Sequence, residues 1–118
     1  MQNFKSLQVW EKSHKLTLSI YQATATFRKE ELCGLVSQMR RSSASIPTNI
    51  AEGCGRAGNA ELAHFCQIAM GSASELEYQI LLAHDLSFLS DLSYQQLDTH
   101  LTEVKRMLNS FIQRLRQS

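Results

Sequence analysis

The stretch RRSSASIPTNIAEG, Arg40 to Gly53, places a proline inside a segment that otherwise has the pattern of a helix. Apolar residues recur at helical spacing on both sides of Pro47, and hydroxyl, amide and charged side chains fill the positions between them. A proline inside a helix removes one main-chain donor and crowds the carbonyl four residues earlier, which costs about 3 kcal/mol unless the helix bends. The sequence therefore predicts a second helix from about Glu31 to Gly53, kinked at Pro47.

A ridge of polar side chains runs along this predicted helix, about 110° around from its apolar stripe. Its members are Gln38, Arg41, Ser45, Asn49 and Glu52. The third helix has a comparable polar flank, so we expect Arg41 to pair with an acceptor there, with Glu75 as the first choice. The serines just before Pro47 are expected to bond the carbonyl oxygen that the proline leaves free. The ridge is thus predicted to be a structural polar seam between two helices.

An enzymatic interpretation of the same residues is the alternative. Carboxylates beside an arginine can perform acid–base chemistry, and the constellation would be Arg41, Asn49, Glu52 and Glu75. The structural interpretation is favoured because helix bundles place interhelical hydrogen bonds at such positions. The chain also has neither a nucleophile motif nor a phosphate-binding glycine loop. We expect no catalytic residue, no cofactor and no small-molecule substrate.

Length and composition favour one all-α domain that spans residues 1–118. Hydrophobic residues make up 43% of the chain and charged residues 19%, while a single proline and five glycines offer little for turn-rich β architecture. The chain has no apolar run long enough to cross a membrane and no secretory signal, so we expect no membrane partner and a cytoplasmic location. Its three cysteines are interpreted as free thiols of a reducing compartment.

A zinc site at Cys54, His64 and Cys66 is the metal-binding interpretation that the sequence offers. Positions two apart on a helix point about 200° from each other, so His64 and Cys66 cannot hold one ion together. We therefore expect no metal.

Four helices are predicted, joined by short loops into an up-and-down bundle. The third opens near Asn59 and places its apolar residues on one face as far as about Leu86. The last is the most regular, with a heptad stripe formed by Tyr94, Leu97, Leu101, Val104, Leu108, Phe111 and Leu115.

The first helix differs because it has two apolar stripes on nearly opposite sides. One stripe contains Leu7, Trp10, His14, Leu18, Tyr21 and Ala25, and the other contains Val9, Leu16, Ile20, Ala23 and Phe27. One bundle core buries only one side of a helix, and 118 residues provide no further layer. We therefore predict a homo-oligomer whose interface is formed by Val9, Leu16, Ile20 and Phe27.

A net charge of +1 supplies no global attraction for a polyanion, so nucleic-acid binding would need a local patch. The best candidate lies near the end of the chain, at Lys105, Arg106, Arg114 and Arg116. A solvated helix face is the simpler interpretation of these residues. In an oligomer, a small patch repeated around a ring would bind RNA or DNA through many weak contacts.

Three segments resemble a known family in order and spacing: FKSLQVWEKSHKL from Phe4, QMRRSSASIPTNIAEGCGR from Gln38 and FCQIAMGSASELEYQI from Phe65. Over about residues 4–89 they are similar to the four-helix bundle proteins encoded in intervening sequences of bacterial 23S rRNA genes. The resemblance implies an up-and-down bundle that assembles as a ring-like homopentamer, and it brings no established activity. A related branch, the accessory variability protein of diversity-generating retroelements, is basic, binds nucleic acid and associates with a reverse transcriptase.

Two features depart from these relatives. Arg28 stands where members of the family often have proline, and the near-neutral charge is unlike the basic retroelement branch. The sequence as a whole favours a non-enzymatic, oligomeric scaffold or adaptor. A nucleic-acid-binding accessory protein is the alternative.

Overall fold

Four α-helices account for most of the chain in the computed structural model, which describes residues 2–118. They are α1 (Gln8–Thr24), α2 (Ser37–Cys54), α3 (Asn59–Asp85) and α4 (Asp91–Gln117). A single helical turn at Phe4–Ser6 precedes α1, and the turns Lys29–Glu31 and Leu32–Val36 precede α2. No strand occurs within residues 2–118, and none of the described helices is long and apolar enough to cross a bilayer. The predicted all-α four-helix bundle is confirmed.

Each helix packs against the next one in the chain, and α1 also packs against α4. The connections at 55–58 and 86–90 are short, so consecutive helices run antiparallel as neighbours. One diagonal of the bundle therefore joins α1 and α3, and the other joins α2 and α4. The bundle measures 45 × 23 × 20 Å, and its long dimension is close to the roughly 40 Å that the rise of the longest helices requires.

The core contains the apolar stripes that the sequence predicts for α3 and α4. In α4 the buried members are Leu97, Leu101, Val104, Leu108, Phe111 and Leu115. In α3 many core positions hold small side chains, Ala63, Cys66, Ala69, Ala73 and Ala83. The approach of α2 to α3 is closest at Gly53, where an added methyl group would lie 2.8 Å from Leu62 Cδ1 and 2.9 Å from Phe65 Cβ. Small side chains thus allow the close packing of α2 on α3.

The interface predicted for α1 is wrong, because the structure buries that stripe in the monomer's own core. Val9, Leu16 and Ile20 are buried. Phe27 is half-buried against the same core, with its ring centroid 5.4 Å from that of Phe88. Val9, Leu16 and Ile20 are therefore unavailable to a second copy.

Part of the other stripe of α1 faces outward, with Leu18 exposed to 49% and Tyr21 to 44%, while Leu7 and Trp10 are half-buried against the core. The reason lies in three buried hydroxyl residues on the core side of the helix, Ser13, Thr17 and Thr24. Each hydroxyl donates to a main-chain carbonyl, so its burial leaves no unpaired donor. This face therefore enters the core despite its polar composition.

The predicted kink at Pro47 is not confirmed. Pro47 is buried inside α2, and the helix continues through it from Ser37 to Cys54. The non-helical dihedral angles lie earlier, at Gly34, with φ −105° and ψ −107°, inside the turn Leu32–Val36. The structure thus places a kink at Gly34, before α2 begins.

The carbonyl that Pro47 deprives of a donor belongs to Ser43. Its oxygen accepts instead from the Thr17 hydroxyl of α1, at 2.9 Å in a buried position. That hydroxyl also lies 3.1 Å from the Ser13 carbonyl, but Ser13 is four residues before Thr17 and already accepts a helical main-chain bond. The Thr17 hydroxyl has one proton to donate, and we therefore assign it to the bond with the Ser43 carbonyl oxygen. The serines expected to fill this role bond elsewhere, and the Ser43 hydroxyl itself donates to the Arg40 carbonyl at 3.0 Å.

We predict that Thr17 and Pro47 are energetically coupled. Thr17→Val keeps the shape but leaves the Ser43 carbonyl without a donor, so it should cost about 1–3 kcal/mol of unfolding free energy. Pro47→Ala restores a main-chain donor to that carbonyl, and in its background Thr17→Val should cost under about 1 kcal/mol. Urea unfolding of the four proteins measures the coupling. Equal costs of Thr17→Val in both backgrounds would contradict this role of Thr17.

Candidate functional site

A line of polar contacts joins α2 to α3. The hydroxyls of Ser45 and Ser72 lie 2.8 Å apart, and the Ser42 hydroxyl donates to Glu75 Oε1 at 2.9 Å. Asn49 Nδ2 donates to the Ser45 carbonyl at 2.8 Å and to the Ser45 hydroxyl oxygen at 3.0 Å. Because Asn49 donates to Ser45, the Ser45 proton is free to point at Ser72. The contact between these helices is therefore polar and directional along one edge.

Three residues predicted for this seam, Gln38, Arg41 and Glu52, lie outside it, and Glu52 pairs with Arg56 of its own segment instead. Gln38 and Arg41 are exposed, and no side-chain hydrogen bond or ion pair of either residue occurs within residues 2–118. The predicted pair of Arg41 with Glu75 is wrong, because Ser42 donates to that carboxylate instead. A serine is short enough for a close helix contact, whereas an exposed guanidinium keeps its hydration and gains little from a surface ion pair.

The residues of the enzymatic alternative do not converge on one site. Glu52 binds Arg56 one turn further along the chain, with the Nη2–Oε2 distance at 2.8 Å. Glu75 accepts from a serine of α2, and Asn49 donates within its own helix. Arg41 is exposed. Each carboxylate is thus engaged separately, and the arrangement does not place an acid and a base around a common space.

Arg40, the neighbour of Arg41, joins α2 to α1. Its Nε donates to Thr24 Oγ1 at 3.0 Å, and its Nη2 donates to the Tyr21 carbonyl at 3.2 Å. The guanidinium carbon lies 4.6 Å from the centroid of the Tyr21 ring, a cation–π geometry. Sequence reasoning missed this contact, because helical spacing places Arg40 about 100° from Arg41 without indicating which neighbouring helix it meets.

The polar seam ends at an amide without a full set of partners. Gln79 of α3 is 5% exposed, and among residues 2–118 no donor bonds its buried Oε1 atom. An unpaired buried acceptor costs about 1–3 kcal/mol. The seam is therefore not a completely satisfied network.

The four basic residues of the candidate nucleic-acid patch are not equivalent. Lys105 Nζ lies 2.9 Å from Glu77 Oε1 of α3, so its charge is compensated. In the described part of the chain, Arg106, Arg114 and Arg116 take part in no ion pair with an acidic residue. Arg106 and Arg114 line a cleft between α4 and the start of α1. The uncompensated positive charge therefore belongs to the arginines.

The thiols and His64 do not form a chemical site. Burial raises the pKa of the Cys54 thiol and raises that of Cys66 to about 12. Both are protonated at neutral pH and are weak nucleophiles. Cys33 and His64 are exposed. Over residues 2–118, no cluster of three or more His, Cys, Asp or Glu side chains is arranged to hold a metal ion.

A histidine that sequence reasoning missed ties the end of α3 to the start of α4. His84 Nε2 lies 2.6 Å from Asp91 Oδ1, and its ring stacks on Tyr94 with centroids 4.4 Å apart. Burial is the main cause that raises the pKa of Tyr94, and the negative charges of nearby acids, including Asp98, raise it further. In the sequence, the contact of His84 is indicated by two acidic residues, Asp85 and Asp91, on either side of a short loop. This contact holds the loop between α3 and α4, and it places no nucleophilic side chain beside the histidine.

We predict that the seam stabilises the bundle through Ser45 and Ser72, and that Arg41 does not contribute. Ser45→Ala and Ser72→Ala should each cost about 0.5–1.5 kcal/mol, and the double variant should cost less than their sum because they share one hydrogen bond. Arg41→Ala, the surface control, should change stability by under about 0.5 kcal/mol. Denaturant unfolding of the four variants provides the test. Strict additivity of the serine variants would show that the two hydroxyls do not interact.

Comparison with known proteins agrees with this architecture. The family model described as 23S rRNA-intervening sequence protein matches residues 5–110. A crystal structure of a protein with unknown function from the S23 ribosomal protein family of Bacteroides thetaiotaomicron is 25% identical, with a TM-score of 0.79 and coverage of 88% of this chain and 97% of that one. No curated protein matches. The chain belongs to the 23S rRNA-intervening sequence protein family.

Proposed function

We propose that this protein is a non-enzymatic cytoplasmic scaffold that assembles as a homo-oligomeric ring, with five copies as the expected number. The observation that carries the proposal is that the exposed large apolar side chains include one group on α1 and the following turn and another on α3, both of which border α2. The number of copies is taken from the family resemblance. The absence of a catalytic role is inferred from the dispersal of Asn49, Glu52 and Glu75 into separate structural contacts.

The first stripe, the α1 face, consists of Leu18, Tyr21 and Leu32, which are 49%, 44% and 57% exposed. The contact of Arg40 with the Tyr21 ring places this face beside α2. A cleft of about 380 Å³, lined in part by Tyr21, Leu32 and Arg41, continues the face onto α2. The α1 face thus combines large apolar groups with an unpaired guanidinium, a composition typical of protein interfaces.

The second stripe, the α3 face, consists of Ile68 and Leu86, which are 42% and 51% exposed. Tyr78, 61% exposed, lies about 80° around the helix from them. Ile68 lies one helical turn before Ser72, which contacts Ser45 of α2. Ile68 and Leu86 are 18 residues apart, five full turns, so they lie in one line along the helix. This face therefore borders α2 on the side opposite the α1 face.

Two different apolar faces on one subunit favour a head-to-tail contact, in which the α1 face of one copy meets the α3 face of the next. The faces flank α2, at one corner of the bundle. In this arrangement α2 faces the axis with exposed polar residues such as Arg41 and Thr48. The diagonally opposite helix, α4, lies on the outside.

We expect Leu18→Glu and Ile68→Glu each to dissociate the ring, because a charge in a buried apolar contact is strongly unfavourable. Each variant keeps one intact face. An equimolar mixture should therefore form a one-to-one dimer, with the α3 face of the Leu18 variant bound to the α1 face of the Ile68 variant. Light scattering of each protein and of the mixture measures this.

Leu92→Glu is the matched control, because Leu92 is 65% exposed near the start of α4 and belongs to neither face. It should leave the oligomer intact. A monomeric parent at micromolar concentration would overturn the proposal. Dissociation of the Leu92 variant would show that the contact lies elsewhere, and two variants that remain monomeric when mixed would exclude a head-to-tail contact.

A nucleic-acid-binding role is the second candidate, and one observation favours it. Arg106, Arg114 and Arg116 lie in the last turns of α4 without acidic partners in the described chain. In the proposed ring α4 lies outside, so the same three charges would be repeated around the rim. Repetition raises affinity for a polyanion without new contacts. Such binding would be directed at the phosphate backbone and tolerant of sequence.

We predict that any RNA or DNA binding falls at least about tenfold between 50 and 200 mM salt, because counterions are released from the backbone. A variant with Lys105, Arg106, Arg114 and Arg116 all changed to glutamine should lose that binding. Fluorescence anisotropy with labelled single- and double-stranded RNA and DNA provides the measurement. Binding by the parent that is insensitive to salt, or no binding at about 50 mM salt, would exclude this candidate.

A further inference from the structure

A cleft of about 450 Å³ lies between the start of α1 and the last turns of α4. Five of its lining residues have polar side chains. The Ser6 hydroxyl donates to the Asn3 carbonyl, and the other four are Gln8, Arg106, Ser110 and Arg114. Leu7 and Val9 are among the apolar residues that line the rest of the cleft. The cleft thus combines exposed hydrogen-bond donors with apolar walls.

None of these four side chains hydrogen-bonds another group within residues 2–118, and the lining of the cleft contains no carboxylate. The nearest acid along α4 is Glu103, one turn before Arg106. The Lys12 ammonium lies 3.0 Å from Glu103 and lowers the pKa of that carboxyl. Lys12 is the ion-pair partner of this carboxylate, and Arg106 has a smaller influence on it without forming an ion pair. Two uncompensated guanidinium groups with no acid between them select for an anion.

The spacing of the arginines indicates the kind of anion. Arg106, Ser110 and Arg114 are separated by four residues each, so they lie in one row on α4, with the outer pair about 12 Å apart along the helix axis. The Arg114 guanidinium lies 5.7 Å from the Phe111 ring centroid, a contact that restricts its position. Guanidinium groups bind phosphate oxygens in a bidentate manner. A row of this length suits a ligand with successive phosphates better than a single anion.

We propose that this cleft is a binding site for a chain of phosphate groups, with Arg106 and Arg114 at its two ends and Gln8 and Ser110 between them. The site goes beyond the scaffold role and does not depend on it. It shares two arginines with the nucleic-acid candidate, but it excludes Lys105 and Arg116 and adds two neutral donors. Linear polyphosphate and the phosphodiester strand of a nucleic acid present this chemistry.

The test titrates the full chain with sodium tripolyphosphate and with orthophosphate at about 50 mM salt, by calorimetry. Tripolyphosphate should bind at least about tenfold more tightly than orthophosphate, because it contacts both arginines. Arg106→Gln and Arg114→Gln should each weaken tripolyphosphate binding by about tenfold, the loss of one charge-assisted contact. Ser110→Glu keeps both arginines and places an acid between them, so it should abolish binding. Circular dichroism checks that each variant remains folded.

Arg116→Gln is the matched control, since it removes the same charge from the same helix outside the cleft. It should change the affinity by less than about twofold. An equal loss in this control, equal affinity for the two phosphates, or no tripolyphosphate binding would overturn the proposal. A short oligothymidylate as competitor distinguishes the sources: displacement assigns the cleft to a phosphodiester strand, and its failure assigns the cleft to free polyphosphate. If the Arg106→Gln and Arg114→Gln variants still bind nucleic acid, the nucleic-acid-binding role is retained. Its binding site then lies outside the cleft.

Discussion

The hydrogen bond from the Thr17 hydroxyl to the Ser43 carbonyl is the contact on which the arrangement of α1 and α2 depends. It allows a proline to remain in a buried helix without an unpaired carbonyl, whose cost would be about 1–3 kcal/mol. Because the bond is directional, it also fixes the rotation of α1 about its own axis. That rotation puts Leu16 and Ile20 into the core and leaves Leu18 outside. A side chain of α1 thus supplies the hydrogen bond that Pro47 removes from α2. The same bond helps to set which face of α1 is exposed.

The surfaces around α2 follow from this rotation and from the polar seam. Arg40 holds Tyr21 beside α2 on one side, and the contact of Ser45 with Ser72 holds α3 on the other. Since both contacts are directional, the exposed apolar stripes are set at a fixed angle on either side of one helix. A subunit of this shape suits a closed ring better than a two-fold dimer, because its two apolar faces differ. The proposed assembly is therefore a consequence of hydrogen bonds inside the monomer.

Local periodicity made most of the fold predictable, since the heptad stripe of α4 and the alanine-rich face of α3 each lie within one segment. The rotation of α1 was not predictable, because the buried Ser13 and Thr24 count as polar in any pattern although they bond the main chain locally. Hydropathy patterns likewise do not distinguish Ser42 from Arg41 as the partner of Glu75, because the choice depends on how closely two helices approach. The cleft could not be predicted for a different reason: its walls come from opposite ends of the chain.

The net charge of +1 does not indicate where unpaired charges lie on the protein surface. Four salt bridges each pair one acid with one base, Lys12–Glu103, Lys15–Glu11, Arg56–Glu52 and Lys105–Glu77. Each pair neutralises one acidic side chain. None of the pairs includes Arg106, Arg114 or Arg116, which lie in the last turns of α4. Salt screens charges beyond about 8–10 Å, so a ligand at this end experiences the nearest arginines and not the sum over the chain. The distribution of ion pairs, more than the total charge, therefore determines where this protein can bind an anion.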